Sequence, residues 1–349
     1  MAYSLAELAE KLTESTGETV EIKGQPSVKV NRIATLDNAQ NDAITFLANP
    51  KYKQHLAQSS AGAIILSADA LDEWQGNALV MANPYLGFAI VAQLLDVTPQ
   101  QVCEIHPSAV VASGVTIPSS SSIAANVVIE KDAKIGENVQ IGAGCYIGQG
   151  TIVSDGSRLW PNVTVYHGVT LGANCVIHAQ SVIGADGFGY APQKISGDQH
   201  WHKIPQIGGV VVGEGTEIGA STTIDRGAIE DTIIGKGVII DNQIQIGHNV
   251  VIGDHTAIAA STAIAGSTKI GNNATIGGHC SIAGHLNISD NAFITGRTFV
   301  IADIKEPGVY SSGMPASTNK EWRNNTARYR KLTELFNRVK RIEKQLDSE

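Results

Sequence analysis

Residues 234–300 read IGKGVIIDNQIQIGHNVVIGDHTAIAASTAIAGSTKIGNNATIGGHCSIAGHLNISDNAFITGRTFV. An aliphatic residue returns at every sixth position: Ile234, Ile240, Ile246, Ile252, Ile258, Ile264, Ile270, Ile276, Ile282, Ile288, Ile294 and Val300. A period of six is neither the 3.6 of a helix nor the 2 of a strand, so the unit is a short strand plus a turn. One unit cannot bury its single apolar side chain. Stacked units can: three hexads close a triangular coil, coils stack at roughly 4.8 Å, and every beat residue enters one interior column. The stretch predicts a parallel β-helix.

The same beat runs upstream through Ile105, Val111, Ile117, Ile123, Ile129, Ile135, Ile141, Ile147, Val153, Leu159, Val165, Leu171, Ile177 and Ile183. It stops at ADGFGYAPQKISGDQHWHKIPQ, residues 185–206, returns at Val212, Ile218 and Ile224, slips through DRGAIEDT and recovers at Ile234. The whole makes roughly nine to ten coils. An excursion of this length carrying Phe188, Tyr190 and Trp201 reads as a working loop over a groove rather than an idle insertion.

Residues 1–102 have no such beat. Leu5, Leu8 and Leu12 share one face of a short helix, and VEIKG, VKVNRIATL, ITFLAN and AGAIILS read as strands mixed with helical segments at 52–58 and 85–95. These residues form a separate α/β domain. The β-helix is assigned to residues 103–304, and residues 305–349 to a Pro- and Gly-rich connector followed by helix. In the tail Leu332, Leu335, Val339, Ile342 and Leu346 make a heptad seam too short to stand alone, so it is expected to be packed. Nine of the 25 basic residues fall in the last thirty, on a chain of net charge −8. They read as a solvated helix face or a docking patch for an acidic partner.

The acidic balance argues against general nucleic-acid binding. Thirty-six glycines and 5% aromatics suit tight corners. Four scattered cysteines without metal spacing suit a reducing compartment. The N-terminus carries acids and a lysine where a signal peptide needs an apolar run, and no run of 18 apolar residues occurs, so a cytoplasmic protein with no integral membrane segment is expected. A three-sided prism suggests a homotrimer with sites in its grooves. His248 and His285, 37 residues apart, fall two coils apart on nearby parts of one face. Their separation of about 10 Å suits two ends of a substrate rather than one metal ion. Asp241 stands seven residues before His248, and a carboxylate near an imidazole raises its basicity and fixes its tautomer.

The run TTIDRGAIEDTIIGKGVIIDNQIQIGHNVVIG, with IAGHLNISD, EPGVYSSGMP, ITFLANPKY and GADGFGY, resembles the UDP-3-O-(3-hydroxyacyl)glucosamine N-acyltransferase family of lipid A biosynthesis. The resemblance covers nearly the whole chain. It implies a left-handed parallel β-helix homotrimer between an N-terminal uridine-binding α/β domain and a C-terminal helical extension. It also implies transfer of a 3-hydroxyacyl chain from the phosphopantetheine of acyl carrier protein to the 2-amino group of a UDP-3-O-acylglucosamine, with no permanently bound cofactor and no metal. By matched position His248 is the general base, Asp241 its orienting carboxylate, His285 a second histidine near the sugar-nucleotide phosphates, and Gly266 the oxyanion donor. Phe46, Asn49 and Tyr52 match uracil-binding positions, and Asn242 and Gln245 are polar contacts. Some relatives carry methionine near Phe299, and Phe299 would shorten an acyl groove lined by that region. Two other classes are weighed against this: an O-acyltransferase on UDP-N-acetylglucosamine, which lacks such an N-terminal domain, and a non-catalytic β-solenoid.

Overall fold

The computed structural model describes residues 2–99 and 101–347. The chain divides into two compact units, Met1–Gln100 and Gln101–Glu349.

The first unit is a five-stranded sheet in the order Glu21–Lys23, Asn77–Val80, Ala63–Leu66, Ala43–Phe46, Arg32–Ile33. Its last four strands are parallel. Helix Leu5–Thr16 starts at a capping box between Ser4 and Glu7 and ends at Gly17 in the left-handed conformation. Its Leu5, Leu8 and Leu12 pack with Ile44, Ile65 and Leu79 in one cluster, while Leu47, Leu56, Ile64, Leu66 and Trp74 form a second. The helical segment expected at 52–58 is a 3-10 helix over residues 50–58, and Asn77–Val80, which the sequence reading did not name, is an inner strand.

The second unit is a left-handed parallel β-helix of three sheets with ten, eight and ten strands. From Ile123 to Val300 the beat residues are at most 8% exposed and fill one core. Partners in successive coils are 18 residues apart, as at Asn138 and Ser120. The separation is 41 across the excursion and 22 across residues 225–231. The corners turn through residues with positive φ, many of them Asn, Ser or Gly, which tolerate the left-handed region. A second device was not legible as a beat. Buried hydroxyls of Thr256, Thr262 and Thr268 donate to the carbonyls of Gly271, Gly277 and Ala283 in the next coil, pairing backbone groups that would otherwise be stranded inside.

The β-helix extends past residue 304. Gly308–Tyr310 pairs with Ala292–Ile294, placing Ile294 opposite Tyr310, and this shorter separation hides the last strand from a six-residue period. The excursion is an antiparallel hairpin, Tyr190–Ile195 with Asp198–Lys203, turning at Ser196 and Gly197. The tail forms helices Asn319–Arg330 and Leu332–Leu346, and no residue of either is buried. The seam predicted to be packed is therefore uncovered within one chain. No helix of the described residues is long and apolar enough to cross a membrane.

Candidate active site

Corners of the β-helix leave backbone amides without partners, and the sequence decides how each is closed. Along the edge through residues 236, 254 and 272, each amide is capped by the carboxylate or carboxamide 18 residues on. Lys236 N–H donates to Asp254, Asp254 N–H to Asn272, and Asn272 N–H to Asp290. The edge through 248, 266 and 284 differs. The residue 18 after Gly266 is Gly284, with no side chain to cap the Gly266 amide.

His248 stands on that edge, half-buried, one coil before Gly266. A Cβ on Gly266 would lie 2.8 Å from His248 Nε2, so glycine there gives the imidazole its space. The other ring nitrogen, Nδ1, is 3.0 Å from Asn249 Oδ1. The orientation of that carboxamide follows from its other bonds: Oδ1 accepts from Ala228 N–H at 2.9 Å, and Nδ2 donates to the Glu230 carbonyl at 2.8 Å. With an acceptor facing it, Nδ1 carries the proton, and Nε2 keeps its lone pair on the side of Gly266. The four extra residues after Asp225 thus have a use: Ala228 and Glu230 hold Asn249. The sequence reading passed over Asn249, whose only early signal was the irregular segment that grips it.

Around His248 and Gly266 lies a cavity of about 510 Å³, lined by Phe188, Asp225, Gln245, Ala263, Ser281 and Phe299 among others. Gln245, Ala263, Ser281 and Phe299 are register partners on successive strands, so the cavity runs along one face from polar to small to aromatic. Gln245 Nε2 donates to Asp225 Oδ2 at 3.0 Å. Burial raises the Asp225 carboxyl above its ordinary range, an effect opposed by that hydrogen bond and by nearby His248. The base of the hairpin closes one side. A Cβ on Gly187 would meet His248 Cβ at 2.7 Å, and one on Gly189 the Gln206 carboxamide at 2.3 Å, so the GFG run is glycine-rich because its backbone packs this closely.

Arg226, 2% exposed, anchors this arrangement. Its Nε donates to the Gly184 carbonyl at 3.0 Å, and its guanidinium also meets the His167 carbonyl and ring, while its own amide donates to the Ala185 carbonyl. Burial, then the Arg226 charge, lowers the His167 pKa.

Three expected site residues of the β-helix lie outside this cavity. Asp241 does not face the His248 of its own chain; its carboxylate accepts from Asn242 N–H at 2.7 Å and Ala260 N–H at 3.1 Å. The reason is geometric. Seven residues carry the chain past a corner to the next sheet, so Asp241 and His248 fall on adjacent edges. Asn242 likewise caps Ala220 N–H at 2.7 Å. His285 is on the His248 edge, exposed, at a positive-φ corner position shared by His255 and His279. Its N–H donates to the Gly266 carbonyl at 3.1 Å, and it does not line the cavity.

Phe46, Asn49 and Tyr52 line a separate cavity of about 540 Å³ within the first unit, with Thr45, Asp37, His55 and Tyr85. It sits where Ala43–Phe46, a parallel strand, ends, the usual crevice of such sheets. Phe46 stacks on Phe88 with centroids 4.0 Å apart, and Asn49 Oδ1 accepts from Lys51 N–H at 3.1 Å.

Comparison with known proteins gives two family matches: UDP-3-O-(3-hydroxymyristoyl) glucosamine N-acyltransferase, LpxD, over residues 27–94, and bacterial transferase hexapeptide repeats over 114–149 and 150–185. The chain is 53% identical over 348 residues to the UDP-3-O-acylglucosamine N-acyltransferase of Colwellia psychrerythraea, covering 99% of each. It is 58% identical over 341 residues to the protein of that name from Pseudoalteromonas atlantica, covering 98% of this chain and 97% of that one. Among solved structures, an Arabidopsis UDP-N-acetylglucosamine acyltransferase aligns with a TM-score of 0.52 at 22% identity, covering 64% of this chain and 77% of that one, a likeness of fold.

Proposed function

The chain belongs to the UDP-3-O-acylglucosamine N-acyltransferase family, an acyltransferase of lipid A biosynthesis, and we propose that it moves a 3-hydroxyacyl chain from acyl carrier protein to the 2-amino group of UDP-3-O-(3-hydroxyacyl)glucosamine by direct attack. The observation that carries this reading is the pairing of His248 Nε2, its lone pair fixed by Asn249, with the uncapped Gly266 amide. Nε2 takes a proton from the amine as nitrogen attacks the thioester carbonyl, and the Gly266 N–H meets the oxygen on which charge develops. The intermediate collapses with loss of the phosphopantetheine thiolate, which recovers the proton. A base of this kind contributes about 10²–10⁴ in rate, and one oxyanion donor about 10²–10³.

His285 contacts the sugar nucleotide near its phosphates. Phe46 and Tyr52 hold the uracil, and Asn49, its Oδ1 committed to Lys51, offers its N–H₂ to a uracil carbonyl. Ala263 and Ser281 leave room for the acyl chain, which Phe299 stops; Gln245 supplies a polar contact, as does Asn242 from the adjacent edge. The working form is a cytoplasmic homotrimer, in which the uncovered seam of Leu332–Leu346 and the basic tail meet neighbouring subunits or the acidic carrier protein.

The test is mass-spectrometric: purified protein, a mixture of 3-hydroxyacyl carrier proteins of different chain length, and UDP-3-O-acylglucosamine. A diacylated sugar nucleotide is expected, and its mass names the preferred chain. Acylation of UDP-N-acetylglucosamine instead would assign the chain to the sister reaction; no product with either acceptor would leave the scaffold without this activity.

A further inference from the structure

Asp225 takes no part in the steps above, yet of the side chains lining the catalytic cavity only Asp225 and His248 ionise. It ends strand Thr223–Asp225, and its Oδ2 accepts from Gln245 Nε2 at 3.0 Å. Gln245 cannot turn its amide around without loss, because Nε2 also donates to the Ile246 carbonyl at 3.3 Å and Oε1 accepts from the Thr223 hydroxyl. One carboxylate oxygen is therefore held, and Asp225 lines a cavity whose other side chains are mainly aliphatic, small and aromatic. A partly buried carboxylate short of donors is costly unless a ligand supplies one.

We propose that Asp225 accepts a hydrogen bond from the 2-amino group of the acceptor and makes this site select an amine over a hydroxyl. The inference rests on the reading that His248 is the base and the sugar amine the nucleophile. A neutral amine brings two N–H groups and one lone pair. As the C–N bond forms, one N–H proton passes to His248 Nε2; as the C–S bond breaks, that proton goes to the departing thiolate. The second N–H stays on nitrogen into the product amide, and it is this hydrogen that Asp225 holds throughout, so the carboxylate neither gains nor loses a proton. A hydroxyl has one hydrogen, which the base removes. Its oxygen would then turn lone pairs toward the Asp225 carboxylate, and a site built around a hydrogen bond rejects a ligand that cannot make it.

The test compares unaltered protein with D225N and D225S, using one 3-hydroxyacyl carrier protein and two acceptors, UDP-3-O-acylglucosamine and its analogue with a 2-hydroxyl, UDP-3-O-acylglucose. The expected result is a fall in kcat/KM of about 10²-fold or more for the amine, carried mainly by kcat, with no fall for the hydroxyl analogue, which is freed of the carboxylate facing its lone pairs. The preference for amine then collapses in both variants. Equal losses for both acceptors, or a preference that survives substitution, overturns the inference while leaving the N-acyltransferase reading intact. Absence of amine transfer by the unaltered protein overturns both. Circular-dichroism melting of each variant identifies the folded protein to be compared, and D225S serves if D225N does not fold.

Discussion

At the corner after Ile240, Asp241 accepts from the amides of Asn242 and Ala260, and Asn242 accepts from Ala220, so three backbone donors are closed by side chains. At the corner after Ile246, six residues on in the same coil, Asn249 takes the amide of Ala228 and faces the imidazole of His248, while the Gly266 amide has Gly284 where a cap would stand. The backbones are alike. One corner spends its polar atoms on holding the coil; the other leaves a donor and an imidazole lone pair unspent.

The comparison breaks most sharply at His248. His248→Ala should lower kcat by about 10²–10⁴ without changing the melting temperature or the oligomer, read by single-turnover acyl transfer beside calorimetry. Gly266→Ala should cost about 10²-fold, because its Cβ would occupy the space of Nε2 at 2.8 Å and push the base from the donor. Asn249→Ala should reduce kcat roughly tenfold, as Nδ1 loses its acceptor, and should lower stability by about 1–2 kcal/mol by freeing Ala228 and Glu230. Asp241→Ala should lower the melting temperature by roughly 2–4 °C yet keep kcat/KM within about threefold. A loss near that of His248→Ala would mean that Asp241 reaches the site of another subunit, and the contrast between the corners would fail.

The smallest effect is one of pH. Burial holds the Asp225 carboxyl above its ordinary 3.8 in the folded protein. Above that raised value the folded state carries a charge it disfavours, so Asp225→Asn should raise the melting temperature at neutral pH. As pH falls through the folded value the native carboxyl protonates, and below 3.8 both states are neutral and the gain should vanish. A melting series from pH 7 to pH 3 reads the difference directly.

The interior was legible because each coil repeats one rule: Ile123 to Val300 keep the beat, and burial enforces it residue by residue. His248 stood out by its place in the repeat and Gly266 came from a family likeness, and the structure brings them together. What escaped the sequence was pairing around an edge. Asn249 adjoins His248 in the chain, yet its meaning depends on Ala228 and Glu230, which reach it only because four residues are added after Asp225. Asp241, near in sequence, falls on another edge because a corner intervenes. Separations of 18, 22 and 41 cannot be assigned until the lengths of both insertions are known.

Arg226 gives those two insertions a common root. One guanidinium ties the carbonyls of Gly184 and His167 across the start of the hairpin, while Gly187 packs its stem against His248 and Gly189 packs on Gln206. The tip at Ser196 and Gly197 is exposed and shares none of these anchors. A foreign peptide spliced between those two residues would hang from a fixed socket, so the loop is a ready port for a label or an affinity handle on this enzyme.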